Sequence, residues 1–257
     1  IPLPRETEKS YFDGVKFFMD NHVQTRTWTL MQLVGTELGR DHAIKNYRLK
    51  SKFRILPKEF GVYDDEKVLE IEKICVGTNT MNYQSYLNCR NYSFILKLLG
   101  HGIFFPVNKL AKKLNISWFD FSKKVFDVLS EGKVSGKFKD LYDDFCKESH
   151  DELFESKAEA IKFYSKPENY KLLLNGDIGE NLGAKYQAKS LLILDSVFTT
   201  IFFVFKNYFK ESLNKTALTV LDSTEKWLKN IYLIDAIIDE NTNYQEKSHN
   251  IKIDFDF

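Results

Sequence analysis

Residues 25–39, TRTWTLMQLVGTELG, decide how the rest of the chain is read. The first part, Trp28-Thr29-Leu30-Met31-Gln32-Leu33-Val34, has the composition of a strand, and it breaks at Gly35-Thr36-Glu37-Leu38-Gly39, a tight turn that leads into a helical pattern. Open α/β sheets and barrels build binding sites where a strand ends in a glycine turn before a helix, because ligands lie beyond the carboxyl ends of the strands. Gly35, Thr36 and Glu37 are therefore the first candidates for contact with a small molecule. Ordinary α/β connections use the same pattern, so the surrounding segments must discriminate.

Outward from that stretch, residues 7–21 read as a helix with Tyr11, Val15, Phe18 and Met19 on one face, and residues 22–34 read as the strand it feeds. A short helix is predicted over residues 40–49. Lys52-Phe53-Arg54-Ile55-Leu56-Pro57 follows as a strand ended by its proline, and residues 68–76 as a strand at a sheet edge. This helix, strand, helix, strand order is an α/β alternation. After the turn Gly77-Thr78-Asn79-Thr80 the strand signal fades and the chain reads as successive helices. The longest candidates are residues 180–213 and 216–239. The first is apolar on nearly all sides, from Leu191 to Phe205, and should be a buried central helix.

With 257 residues, the chain is long enough for one large domain or two modest ones. Its 22 Phe and 13 Tyr point to an aromatic-rich interior or groove. A formal charge of +1 with no basic stripe gives no electrostatic case for nucleic acid or an anionic membrane. The most apolar run, residues 191–205, is interrupted by Asp195 and falls short of the about 20 residues a bilayer requires, so no transmembrane segment is expected. Cys75, Cys89 and Cys146 are widely spaced, which fits reduced thiols in a cytoplasmic setting better than a disulfide framework. The opening Ile1-Pro2-Leu3-Pro4 reads as a connection inside a larger protein rather than a signal peptide.

The densest reactive set lies between Asp143 and Glu152. On a helix Cys146 and His150 share a face one turn apart, a spacing that suits two metal ligands, although two ligands do not make a site and the acids around them fit a solvated surface. His22 and His101 read as turn residues, and Cys75 and Cys89 as small hydrophobes. The glycines at 176, 179 and 183 follow a helix, not a strand, and so suit a connecting turn rather than a phosphate cradle. GxSxG, Walker lysine, HExxH and EF-hand patterns are absent from the sequence.

Several segments, in order, resemble one family. Arg5-Glu6-Thr7 with the helix from Tyr11 to Met19, then Thr29 to Leu38, then Lys52 to Pro57, then Val76-Gly77-Thr78-Asn79-Thr80-Met81-Asn82-Tyr83-Gln84-Ser85-Tyr86, are similar to the end of the catalytic barrel in cobalamin-binding radical SAM enzymes. The resemblance implies an α+β chain: residues 1–79 as the last strands and helices of a partial (β/α) barrel, residues 80–250 as a helical C-terminal domain, and residues 251–257 as a tail. It implies S-adenosylmethionine held in part by Leu33, Val34, Gly35, Thr36 and Glu37. It also implies a [4Fe–4S] cluster and cobalamin in the intact protein, serving radical methyl transfer or rearrangement on a small-molecule substrate. The family's CxxxCxxC cluster loop and its cobalamin domain are missing here. On this reading the chain is the C-terminal part of the enzyme, partnered by the N-terminal half of the same polypeptide and inert alone. The competing reading is a non-catalytic helical binding or interaction protein with a small α/β appendage.

Overall fold

A computed structural model describes residues 1–23 and 25–232. The fold is α+β. Helices α1 (Glu8–Asp20) and α2 (Asp41–Tyr47) lead to strands β1 (Lys50–Tyr63) and β2 (Glu66–Gly77). After them come α3 (Tyr83–Leu99), α4 (Phe105–Lys113), α5 (Trp118–Ser130), α6 (Lys137–Asp151), α7 (Lys157–Tyr164), α8 (Pro167–Asn175), α9 (Leu182–Leu191), α10 (Leu194–Tyr208) and α11 (Lys215–Ile231). Two compact units form. The first gathers Ile1–Phe18, Thr25–Phe94 and Asp144–Lys185, and so takes residues from well beyond the composition change near residue 80. The second comprises Met19–Gln24, Ile95–Asp143 and the chain from Tyr186 onward.

In the first unit β1 and β2 make a two-stranded antiparallel hairpin, not the parallel alternation the sequence suggests. The reason is local. Only Asp64 and Asp65 join the strands, both left-handed with φ of 48° and 63°, as a two-residue hairpin turn requires, whereas a parallel crossover needs a dozen residues or more. Pro57 does not end β1. The register slips between Ile55 and Phe60, with Lys58 at φ 67°, and this irregularity absorbs the missing proline N–H. The strand expected over residues 22–34 does not form as such: among the described residues that stretch meets the sheet through a single bridge, Met31 opposite Ile74.

Helices α7 and α8 cover one face of the hairpin. Ile55, Leu69 and Ile71 pack with Ala160, Tyr164, Tyr170 and Leu173, flanked by Phe53, Phe60 and Phe154. Full burial of each large apolar side chain stabilises by roughly 1.5–3 kcal/mol. Gly179 lies close against this core: a Cβ there would run into Leu173 and come within 3.0 Å of Ile55. The glycine-rich turn is thus a packing device, in keeping with its reading as a connection.

A second layer of the same unit is ionic. Arg54 on β1 pairs with Glu72 on β2 and, at 3.0 Å, with Glu152, which follows α6; Arg90 on α3 also pairs with Glu152. Glu72 and Glu152 are only 8% and 11% exposed at their side chains. Burial pulls the Arg54 pKa down, but Glu152 and Glu72 together outweigh it and hold the guanidinium above its ordinary range.

The second unit is built on α10. Val197, Phe198, Ile201, Phe202, Val204 and Phe205 are all buried, as expected for a helix apolar on most sides. Phe121 of α5 stacks on Phe205 at 4.2 Å between ring centroids and on Trp118 at 5.2 Å. The helix expected over residues 180–213 is two helices: α9 and α10 break at Leu192-Ile193 and turn by 91°. No single helix among the described residues is long and apolar enough to cross a membrane. The end of the helix expected over residues 216–239 and the tail at 251–257 lie outside the described residues.

Removing one member of the buried ion network should cost far more than an exposed pair is worth. Glu152→Ala leaves Arg54 short of one partner and Arg90 without its carboxylate, and should lower unfolding stability by about 3–5 kcal/mol, against about 0–1 kcal/mol for Lys9→Ala, whose pair with Asp13 is exposed. Urea unfolding of the two variants measures the difference.

Candidate functional site

The turn after residue 34 is held by its own backbone. Leu33 O accepts from the Thr36 N–H at 3.3 Å and from the Thr36 hydroxyl at 2.7 Å, and Gly39 N–H donates to Thr36 O at 3.1 Å. A short 3₁₀ turn, Glu37–Gly39, then passes into α2. Two glycines permit this path for different reasons. Gly35 adopts φ +84°, a conformation that costs an L-residue about 1–2 kcal/mol, and it faces open space. At Gly39 a Cβ would collide with the Leu33 carbonyl oxygen, so the obstacle there is steric.

All five candidate residues, Leu33, Val34, Gly35, Thr36 and Glu37, are exposed. Glu37 is the only charged group among them. One carboxylate oxygen lies 2.6 Å from His42 Nε2 and the other accepts from Arg40 at 3.3 Å. Both pairs are open to solvent, and such pairs contribute only about 0–1 kcal/mol, so Glu37 can exchange them for a ligand's cation at little cost. Gly35 lets a ligand approach the backbone closely, and Leu33 and Val34 offer apolar surface beside it. The donor set fits one wall of a site for a molecule with a flat apolar part and a positive group, such as S-adenosylmethionine.

The cysteines present do not fit a [4Fe–4S] cluster, which is held by several thiolates placed together: Cys75 and Cys89 are buried free thiols. Burial raises the Cys75 thiol and pushes Cys89 up to about 12, away from thiolate chemistry. Cys146 is partly exposed on α6, and the exposed His150 one turn later lies 3.0 Å from the Asp151 carboxylate. Among the described residues no three His, Cys, Asp or Glu side chains converge on a possible metal position. Cys146 and His150 therefore remain two residues on a helix. His101 turns its ring toward its own loop, accepting from the Ile103 N–H, and His22 sits at φ 60° in the turn after α1.

Sequence reasoning missed the groups that set the stretch in place. Thr29 Oγ1 lies 3.4 Å from both Arg90 and the Tyr86 hydroxyl, so the ion network touches the stretch that carries the turn. His42 as the partner of Glu37 was legible only as a five-residue spacing across a bend. Nothing in the sequence marks Glu152 as the acceptor shared by two arginines. Comparison with protein-family models gives no match to the chain, and comparison with curated proteins gives none either.

Two measurements check this geometry. Gly39→Ala should destabilise the turn more than Gly35→Ala, because its Cβ meets a carbonyl oxygen whereas Gly35 pays only the backbone cost; hydrogen exchange at the Thr36 and Gly39 amides reads the difference. Alkylation at pH 8 should modify Cys146 in the native protein and reach Cys75 and Cys89 only after unfolding, since their burial both hides the thiols and keeps them protonated.

Proposed function

We propose that this chain is the C-terminal portion of a cobalamin-dependent radical SAM enzyme, in which Leu33–Glu37 supplies one wall of the S-adenosylmethionine site. Support comes from the order of the resembling segments and, above all, from the open turn: Gly35 presents bare backbone and Glu37 presents an exchangeable carboxylate at the same exposed corner. In this reading residues 1–79 correspond to the last part of the partial barrel, and the helical region shapes access for a small-molecule substrate. The chemistry would be supplied by S-adenosylmethionine, held in part by Leu33–Glu37, and by an iron–sulfur cluster held on the preceding half of the polypeptide, in a cytoplasmic setting. The chain's own residues bind and orient; alone it is inert.

A second reading, a non-catalytic helical binding or interaction protein, is favoured by one observation. The β1–β2 hairpin is antiparallel and its inner face is already covered by α7 and α8, an arrangement that is complete without further parallel strands.

Sequencing the encoding gene and assaying its full product anaerobically separates the two. The enzyme reading expects a CxxxCxxC loop, 5′-deoxyadenosine formed from S-adenosylmethionine under reduction, and a tenfold or larger rise in the S-adenosylmethionine KM for Glu37→Gln, equivalent to about 1.4 kcal/mol of lost binding. A full product without the loop, or one whose KM is indifferent to Glu37→Gln, overturns it.

A further inference from the structure

The net charge of +1 conceals an uneven distribution: the chain has 36 acids against 37 lysines and arginines, yet no acid occurs from Lys73 to Phe119. Within that span α4 turns one face inward and one outward. Val107, Leu110 and Ala111 are buried, whereas Phe105, Lys109 and Lys112, which fall on one side of the helix, are exposed. Lys109 Nζ lies 5.0 Å from the centre of the Phe105 ring and still leaves that residue 62% exposed. Neither Lys109 nor Lys112 has an ion pair among the described residues. A second bend of the same unit, where α9 meets α10, lies beside α4. Phe104 packs on Phe198 of α10 at 5.7 Å, and the Gln187 side chain of α9 donates to Lys97 O at 3.1 Å. At this bend Leu192 is 51% exposed, and the exposed Lys189 is again without an ion pair among the described residues. Asp195, the acid nearest the bend in sequence, is tied to Lys229 at 3.4 Å.

We infer that these two bends form a surface that rests reversibly on an anionic lipid bilayer. Charge complementarity selects the occupant: lysines with no acid to neutralise them are drawn to a negatively charged surface, and the attraction is strongest at low salt. Side-chain chemistry favours lipid over nucleic acid. The cations are all lysines, whose long stems lie along apolar material while the ammonium stays among phosphates, and the apolar members are one phenylalanine and one leucine. Strand binding by nucleic-acid proteins draws instead on arginine and on flat rings that stack on bases, and leucine has no such face. Phe105 and Leu192 enter the boundary between headgroups and acyl chains, and Lys109, Lys112 and Lys189 remain at headgroup level. The contact is peripheral, with no helix crossing the bilayer. Two inserted side chains hold weakly, so binding depends on anionic lipid and is lost in salt.

This inference goes beyond the cofactor reading and is tested without any cofactor. The purified chain should co-sediment with phosphatidylcholine vesicles that contain phosphatidylserine, should not do so with phosphatidylcholine alone, and should be released by high salt. Lys109→Gln combined with Lys112→Gln should lower the partition coefficient about tenfold. Phe105→Ser should lower it several-fold and leave its salt dependence as it is. Circular dichroism should be unchanged in these variants, since all three side chains are exposed. In a Cys146→Ser background, an environment-sensitive dye on Phe105→Cys should report apolar surroundings when anionic vesicles are added. The same dye on Leu218→Cys, an exposed position on α11, should not, and the buried Cys75 and Cys89 stay unlabelled. Failure to bind anionic vesicles, equal binding to neutral ones, or an equal dye response at positions 105 and 218 overturns it. So does binding to a single-stranded oligonucleotide as tight as to vesicles, with Phe105→Ser without effect on either.

Discussion

Two arginines and two glutamates, largely shielded from water, form the constraint on which the first unit depends. Arg54, Glu72, Arg90 and Glu152 tie the β1–β2 hairpin to α3 and to the residue after α6, which are distant from it in the chain. Their charges cancel, and Coulomb attraction at these distances offsets the cost of dehydration only while all four are present. The apolar packing of α7 and α8 on the hairpin supplies the bulk stabilisation, since it removes far more surface from water. What apolar packing lacks is direction. A leucine tolerates sliding along a pleated surface; a guanidinium shared between two carboxylates does not. The network thus fixes where α3 and the end of α6 lie against the sheet, and through Arg90 and Thr29 it reaches the stretch that leads to the open turn.

In the second unit ion pairs such as Lys206–Glu225 join α10 to α11, but the core itself gains direction from rings. Its core is aromatic, and ring stacking supplies direction where the first unit uses ion pairs. Phe121 lies between Trp118 and Phe205, and Phe104 packs on Phe198 at 5.7 Å. Flat rings constrain one another's tilt in a way branched aliphatics do not. Phe104, Phe121, Phe138, Phe198, Phe202 and Phe205 of this unit are all fully buried.

Helices were legible because their signals are local. Ser156 before Lys157, Pro167 after Lys166, and Asn175-Gly176 at the end of α8 mark start and stop within a few residues, and α7 and α8 begin and end where those signals put them. The break between α9 and α10 was not legible, because Leu191, Leu192, Ile193 and Leu194 continue an apolar run straight through it; no proline or glycine announces the turn. The sheet failed for a different reason. Asp64-Asp65 marks the hairpin turn locally, but which strand Val68 to Val76 pairs with is a non-local property that composition does not carry. Of the candidate site, Gly35, Thr36 and Glu37 were readable as a turn from composition alone. Their ties to Arg40, His42 and Leu33 needed the fold.

Residues 28–34 show why strand composition is not a strand. β-propensity measures how well a side chain fits a half-buried pleated surface, and it is realised only where neighbours provide that surface. Here β2 offers one bridge, at Ile74, and then diverges into its pairing with β1, which already uses the other edge of β2. The stretch is left with Gln32 inside, bonded through its Oε1 to the Ser51 hydroxyl, and with tryptophan and valine outside. The Ser51 hydroxyl satisfies the Gln32 oxygen but its buried Nε2 has no partner, and the large apolar side chains turned outward gain nothing from water.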